Sequence, residues 1–296
     1  MIYITTHFRP HRSITKQDIR GFGAYSKHAL YHPWYPGVEI HPCISKHALY
    51  HPWYNKYMGI KSFIPNRISN RAVIRFLDAL SRCGRRLHVA WRASDGHAVA
   101  NDAVIRNTIM DVRHEDADAD GNYFLEEQKA YSGIAFGRTD MSYAGCEVIA
   151  VFNALRALGG RPDLGGLIRR FEKDGMVLSG RFGTSPMAIA DFFSRKGYEV
   201  SHTFLPKEFD GIAGESEVCI LTIYNDSRSI FCQIHTICIT REMDGYVGHN
   251  LYGDGRPSGA YSSVSDMISA VGAGYAKGIM LIGIRYKEKN HTNRNT

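Results

Sequence analysis

A cysteine at position 146 stands where the chain passes from a short polar stretch into an apolar run, TDMSYAGCEVIAVFNALRALGG, Thr139 to Gly160. The first N–H groups of a helix and its dipole favour an anion, so a cysteine there is expected to lean toward the thiolate, the nucleophilic form. Gly145 before it lets a substrate carbonyl come close to the backbone, and the Cys146 N–H is placed to meet a developing oxyanion. A thiol nucleophile also needs a base. His235 lies in the strand-like run IFCQIHTICIT, residues 230 to 240. Side chains alternate across a strand, so Gln233, His235 and Ile237 share one face while Cys232, Ile234, Thr236 and Cys238 share the other. Cys232 and Cys238 are thus poor partners for His235, whose face is left for Cys146. Asn250 lies in the next strand of a hairpin turning at Asp244-Gly245, and a side-chain carbonyl there accepts from the imidazole and fixes its tautomer. A helix cysteine or a strand histidine alone is ordinary core material. The ordered set, cysteine at a helix start, histidine on a strand, asparagine on the next strand, is what points to thiol chemistry.

These residues need a scaffold, and the hydrophobic pattern supplies one. After about residue 128 the segments CEVIAVFNALRAL, DLGGLIRRFEKDG and SPMAIADFFSRKG read as helices, the last with Ser185 as cap and Pro186 in its first turn. YEVSHTF, VCILTIYN, IFCQIHTICIT and YVGHNLYG then read as strands, SVSDMISAVGAG as a helix, and IMLIGIRYK as a closing apolar strand. Helices followed by strands on short turns indicate an α+β fold with an antiparallel sheet. Upstream, ISNRAVIRFLDALSRCG carries a helical stripe of Val73, Phe76, Leu77 and Leu80, and a second helical pattern runs from about 100 to 113. Two regions are therefore expected: an N-terminal extension over 1–127 and a catalytic domain over 128–296.

The extension holds two motifs of its own. SKHALYHPWY occurs at 26–35 and again at 45–54, a local duplication too short for a solenoid. The pairs His28/His32 and His47/His51 have helical ligand spacing, but Pro33 and Pro52 follow directly and oppose a helix. HEDADADGNYFLEE matches the spacing of a calcium loop through Asp116, Asp118, Asp120, Gly121 and Glu127, with oxygen ligands in place and glycine for the sharp turn. Phe124 stands where an oxygen or water ligand is usual. The plainer reading is a solvated acidic linker.

The segments AGCEVIAVFNAL, RFGTSPMAIADFFSRKGYEV and IHTICITREMDGYVGHNLYGDG together resemble the papain-like cysteine peptidases, and within them the bacterial branch of bacteriocin-leader-processing peptidases. The resemblance covers roughly 128–287. It implies a papain-like α+β fold, with helices packed on an antiparallel sheet. It implies Cys146 as nucleophile forming a thioester acyl-enzyme, His235 as general base and then acid, and Asn250 as its orienter. It implies a peptide or protein substrate, cleaved after a small-residue motif, with no cofactor required. One position departs: the family commonly carries glutamine six residues before the nucleophile, completing the oxyanion hole with the cysteine N–H, and this chain has Asp140. A carboxylate repels an oxyanion unless protonated. Either Asp140 is in an unusual state, or Ser142 or Tyr143 supplies the donor, or the activity is weakened; Gln128 serves only if its loop folds back. The alternatives to a peptidase are a non-peptide amidase or acyltransferase using the same triad, and a catalytically silent binding module.

Bulk properties set the frame. A chain of 296 residues, 44% hydrophobic and 22% charged, is long enough for a real core. Its net charge of +7 is mild, and no basic patch interleaved with aromatics argues for nucleic acid. No apolar run is long enough for a membrane span, and the N-terminus lacks the pattern of a secretory signal. Six cysteines without a CxxC pair suggest reduced thiols, so the expected setting is cytoplasmic, with non-classical export as the alternative.

Overall fold

The computed structural model describes residues 69–88, 105, 123–225, 234–251, 259–271 and 276–287. The elements are α1 (Asn70–His88), β1 (Ala135–Phe136), β2 (Thr139–Asp140), α2 (Met141–Ala144), α3 (Cys146–Ala157), α4 (Leu164–Asp174), α5 (Pro186–Arg195), β3 (Glu199–Thr203), α6 (Phe209–Gly214), β4 (Val218–Tyr224), β5 (Ile234–Glu242), β6 (Gly245–His249), α7 (Val264–Ala270) and β7 (Lys277–Arg285). The result is a mixture of helices and antiparallel sheet. The five-stranded sheet runs β3-β7-β4-β5-β6, every neighbouring pair antiparallel.

Helices cover this sheet on both faces, and the strand sequences show it. On one side Ile220, Cys238 and Ile282 join Val148, Ile149 and Phe152 of α3, Ile168 and Phe171 of α4, and Ile189 and Phe193 of α5. On the other, Leu221, Ile223, Ile237 and Leu281 pack with Phe209 of α6 and Met267 of α7. A strand covered on both faces reads as a continuous apolar run; β4, VCILTIY, is buried at every position. Ile74 and Leu77 of α1 are buried in the same cluster as α3, so this helix from the N-terminal region shares the core. The repeat at 26–35 and 45–54 lies outside the described residues, as do nearly all residues of the 100–113 pattern.

α3 is the centre of the first layer. Cys146 through Leu155 are all buried. A helix apolar all round belongs inside a core, which leaves its two buried polar side chains, Glu147 and Asn153, in need of partners. Asn153 has them: it accepts from Leu125 N at 2.7 Å and donates to Leu125 O at 2.9 Å. This clamp ties the segment 123–127 to α3. Glu147 is the other, and it lies in the site.

Candidate active site

Three chain segments meet at the N-terminal end of α3. The first is α2, a single turn capped by Asp140, whose Oδ1 accepts from Tyr143 N at 3.0 Å and from Ser142 Oγ at 2.6 Å. Asp140 is therefore an acceptor holding a helix start, and it presents no donor to an oxyanion. Gly145 then joins α2 to α3. A Cβ at this position would lie 2.5 Å from Met141 O, so glycine is required for the two helices to abut.

Cys146, the first residue of α3, is 6% exposed. Its Sγ–H donates to Glu147 Oε2 at 3.2 Å. The backbone N–H groups of Thr236 and Glu147 also reach the sulfur. The sequence leads one to expect a thiol tipped toward thiolate by the helix start, and the structure reverses that direction. Burial pushes the thiol well above its usual range, the Glu147 carboxylate adds to the effect through its charge and its hydrogen bond, and the two N–H groups act against this without overcoming it. Glu147 is itself buried, and that burial raises its carboxyl to about 7 despite hydrogen bonds from its own N–H, from Cys146 and from Thr184 N–H. The chain makes room for the carboxylate at Gly183, where φ is +66° and a Cβ would fall 2.7 Å from Oε2.

The second segment is the start of β5. Its first pairing with β6 is Cys238 with His249, so residues 234–237 have a strand neighbour only on the β4 side. The Cys146 sulfur meets Thr236 N–H beside this open edge. The expected alternation is present, with Ile234 and Cys238 on one face and Ile237 and Ile239 on the other. It does not, however, turn His235 toward the helix layer. His235 pairs with Ile223, a residue of the second cluster, while α3 packs on the opposite face, and the sulfur approaches the strand by its backbone. His235 is buried, and its Nε2 lies 2.7 Å from Asn250 O. A carbonyl oxygen only accepts, so Nε2 carries the hydrogen and Nδ1 holds the lone pair. Burial lowers the imidazole to about 4, with the hydrogen bond to Asn250 working in the opposite direction.

The third segment follows β6. The hairpin loop is Met243-Asp244, one residue earlier than the spacing suggests, with Gly245 already paired to Glu242. Asn250 falls just past the strand end and has φ +62°, a left-handed conformation that asparagine tolerates. This backbone turn accounts for a second difference from expectation: the imidazole partner is the main-chain carbonyl of Asn250 and not its side chain. The side-chain Oδ1 accepts from Gln128 N at 3.2 Å, and Nδ2 donates to Gln128 Oε1 at 3.4 Å. Gln128 does fold back toward α2, but its Nε2 donates to Met141 O at 3.1 Å and Ser142 O at 3.2 Å, which commits both amide hydrogens.

Glu126 organises this corner. Its Oε2 accepts from Asn250 N, and its Oε1 lies 2.7 Å from His249 Nδ1. His249 Nε2 lies 2.8 Å from Thr240 Oγ1, and its ring stacks on Phe124 at 3.9 Å between centroids. Glu126, Glu147, Asn153 and His249 were not singled out from the sequence. For Glu147 and Asn153 the signal is present, since each is a polar residue in an otherwise apolar helix.

Of the calcium-loop residues, Asp116, Asp118 and Asp120 lie outside the described residues, and Glu127 is exposed. Among the described residues no group of three His, Cys, Asp or Glu side chains is placed to hold a metal ion, and no helix is long and apolar enough to cross a membrane.

No protein-family model matches the chain, and no curated protein matches it. Among solved structures it is similar to the peptidase domain of Streptococcus ComA, a bi-functional ABC transporter involved in a quorum-sensing pathway, with a TM-score of 0.32 and 13% identity over 48% of this chain and 91% of that one.

Proposed function

We propose that this protein is a papain-like cysteine peptidase in which Cys146 attacks the carbonyl carbon of a peptide and forms a thioester. His235 serves proton transfer through Nδ1, and Asn250 fixes the tautomer through its main-chain carbonyl. The carrying observation is that Cys146 opens α3, which packs in one core cluster with Ile234 and Cys238 of β5, the strand that carries His235, while the His235 ring is held by Asn250 O at 2.7 Å. The Cys146 N–H at the helix start supplies one oxyanion donor in this reading. Asp140 and Gln128 are both occupied elsewhere and supply no second donor.

A binding module is the second reading, and the buried, strongly protonated thiol favours it. Incubation of the full chain with a peptide mixture and with small amides, followed by mass spectrometry, separates the two. Under the peptidase reading peptides are cleaved, Cys146→Ala lowers cleavage at least about 1000-fold and His235→Ala at least about 100-fold. Cleavage that survives Cys146→Ala overturns the peptidase reading, hydrolysis of amides alone moves it to an amidase, and no turnover of either class leaves the binding module.

A further inference from the structure

We propose that Glu147 is the group that takes the proton of the Cys146 thiol, so that the nucleophile is activated by a buried Cys–Glu pair. This inference rests on the peptidase reading for its place in a reaction, but the proton transfer itself is a property of the pair and is tested separately.

The geometry carries it. The Cys146 S–H already points at Glu147 Oε2, at 3.2 Å. Both side chains are buried, 6% and 3% exposed. The carboxylate is held from two further directions, by the N–H of Thr184 and by its own N–H, and Gly183 leaves it the space it occupies. Burying a carboxylate beside a nucleophilic sulfur is costly unless it has a task or a full set of partners.

Charge bookkeeping points the same way. Moving the proton from sulfur to Oε2 converts thiol plus carboxylate into thiolate plus carboxylic acid. One negative charge exists before and after, and the new O–H can donate back to the sulfur. Transfer to His235 instead creates a thiolate and an imidazolium where both groups were neutral, and two charges in a dry site cost more than one relocated charge. Of the two candidate bases Glu147 is the stronger: burial leaves it titrating at about 7 and makes His235 a weak base at about 4. Because the thiol is held well above its usual range, the transfer is uphill and is drawn forward by attack of the sulfur on the carbonyl carbon. In the reaction the S–H bond breaks as O–H forms on Glu147, sulfur bonds the scissile carbonyl carbon, and the C–N bond breaks. The proton held on Glu147 then leaves with the amine; water, giving a proton to His235 Nδ1, bonds the acyl carbon as the C–S bond breaks, and that proton returns from His235 to the sulfur.

The test is the rate of iodoacetamide alkylation of Cys146 against pH in the full chain, read at the level of the Cys146 peptide. If Glu147 is the acceptor, sulfur and carboxyl share one proton once the pair has lost its other, so the unaltered protein shows a first alkylation midpoint near neutral pH, where Glu147 titrates, and Glu147→Gln removes that step and slows alkylation at pH 7 by about tenfold or more. A first midpoint at or above 9.0, with no step near neutral pH, overturns the proposal on the unaltered protein alone, whatever the variants do. Alkylation as fast or faster in Glu147→Gln overturns it too, because the carboxylate then only repels the thiolate. Retained slow alkylation of the buried Cys219 and Cys238 reports that a variant is folded. Absence of peptide turnover with the neutral midpoint intact removes the peptidase reading and leaves the Cys–Glu pair; turnover with an unchanged Glu147→Gln removes the pair and leaves the peptidase.

Discussion

The partner of the imidazole is a main-chain oxygen, and this changes what substitution of Asn250 should do. A glycine at 250 keeps the left-handed backbone at φ +62° and so keeps the carbonyl in place for His235, while losing the two side-chain bonds to Gln128. Peptide turnover by Asn250→Gly is expected within about fivefold of the parent, with stability lower by about 1–2 kcal/mol. Valine at the same site meets a β-branched penalty of about 1–3 kcal/mol for a positive φ. Asn250→Val is expected to swing the carbonyl away and lower turnover at least about 100-fold. Were the side chain the true orienter, glycine would be as damaging as valine, and kinetics on the two variants decide it. From the sequence only the residue type was readable here. Asparagine suits both a side-chain acceptor and a left-handed turn, and nothing in YVGHNLYG marks which of the two it performs.

At the scale of elements, α3 is fixed to its surroundings by a polar clamp as much as by apolar packing. Asn153 satisfies both the N–H and the C=O of Leu125 from inside the helix, and the segment it holds carries Glu126 and Gln128 into the site. Asn153→Leu keeps the volume and strands two buried backbone groups, which should cost about 2–4 kcal/mol in chemical denaturation. It should also depress turnover through loss of Glu126 placement. A variant with parental stability would show that the segment is held by Tyr123 and Leu125 burial alone. This element was partly legible. The run from Cys146 and its glycine stop give the helix almost to the residue, and the alternation in β5 correctly separates Ile234 and Cys238 from Ile237. The layer that α3 occupies was not legible. β5 is covered on both faces, so its pattern carries no mark of which face the helix takes, and the approach of sulfur to the Thr236 N–H depends on where β6 stops, a matter of pairing between distant segments.

For the whole molecule, two buried titratable groups with opposite shifts give a pH signature. His235 falls from 6.5 to about 4 in the folded chain. Between those values the unfolded chain holds a proton that the folded chain lacks, so this group's contribution is complete above about pH 6.5 and is lost as pH drops toward 4. Glu147 rises from 4.5 to about 7. The folded chain holds the extra proton in that window, so its contribution is complete below about pH 4.5 and is lost as pH rises through 7. Each shift corresponds to about 3 kcal/mol by linkage. Across pH 4.5–6.5 the two slopes oppose each other, and the parent should show little net dependence from this pair. Removing one member exposes the other. Glu147→Gln should lose about 3 kcal/mol on acidification from pH 6.5 to 4 relative to the parent's profile, and His235→Gln should lose a similar amount as pH is raised from 4.5 to 7. Denaturation midpoints for the three proteins over pH 4–7.5 measure this directly. If Glu147→Gln follows the parent's curve, Glu147 is already ionised throughout the range, its carboxylate is more solvated than its packing against Gly183 implies, and the dry Cys–Glu pair on which the activation of Cys146 depends does not exist in solution.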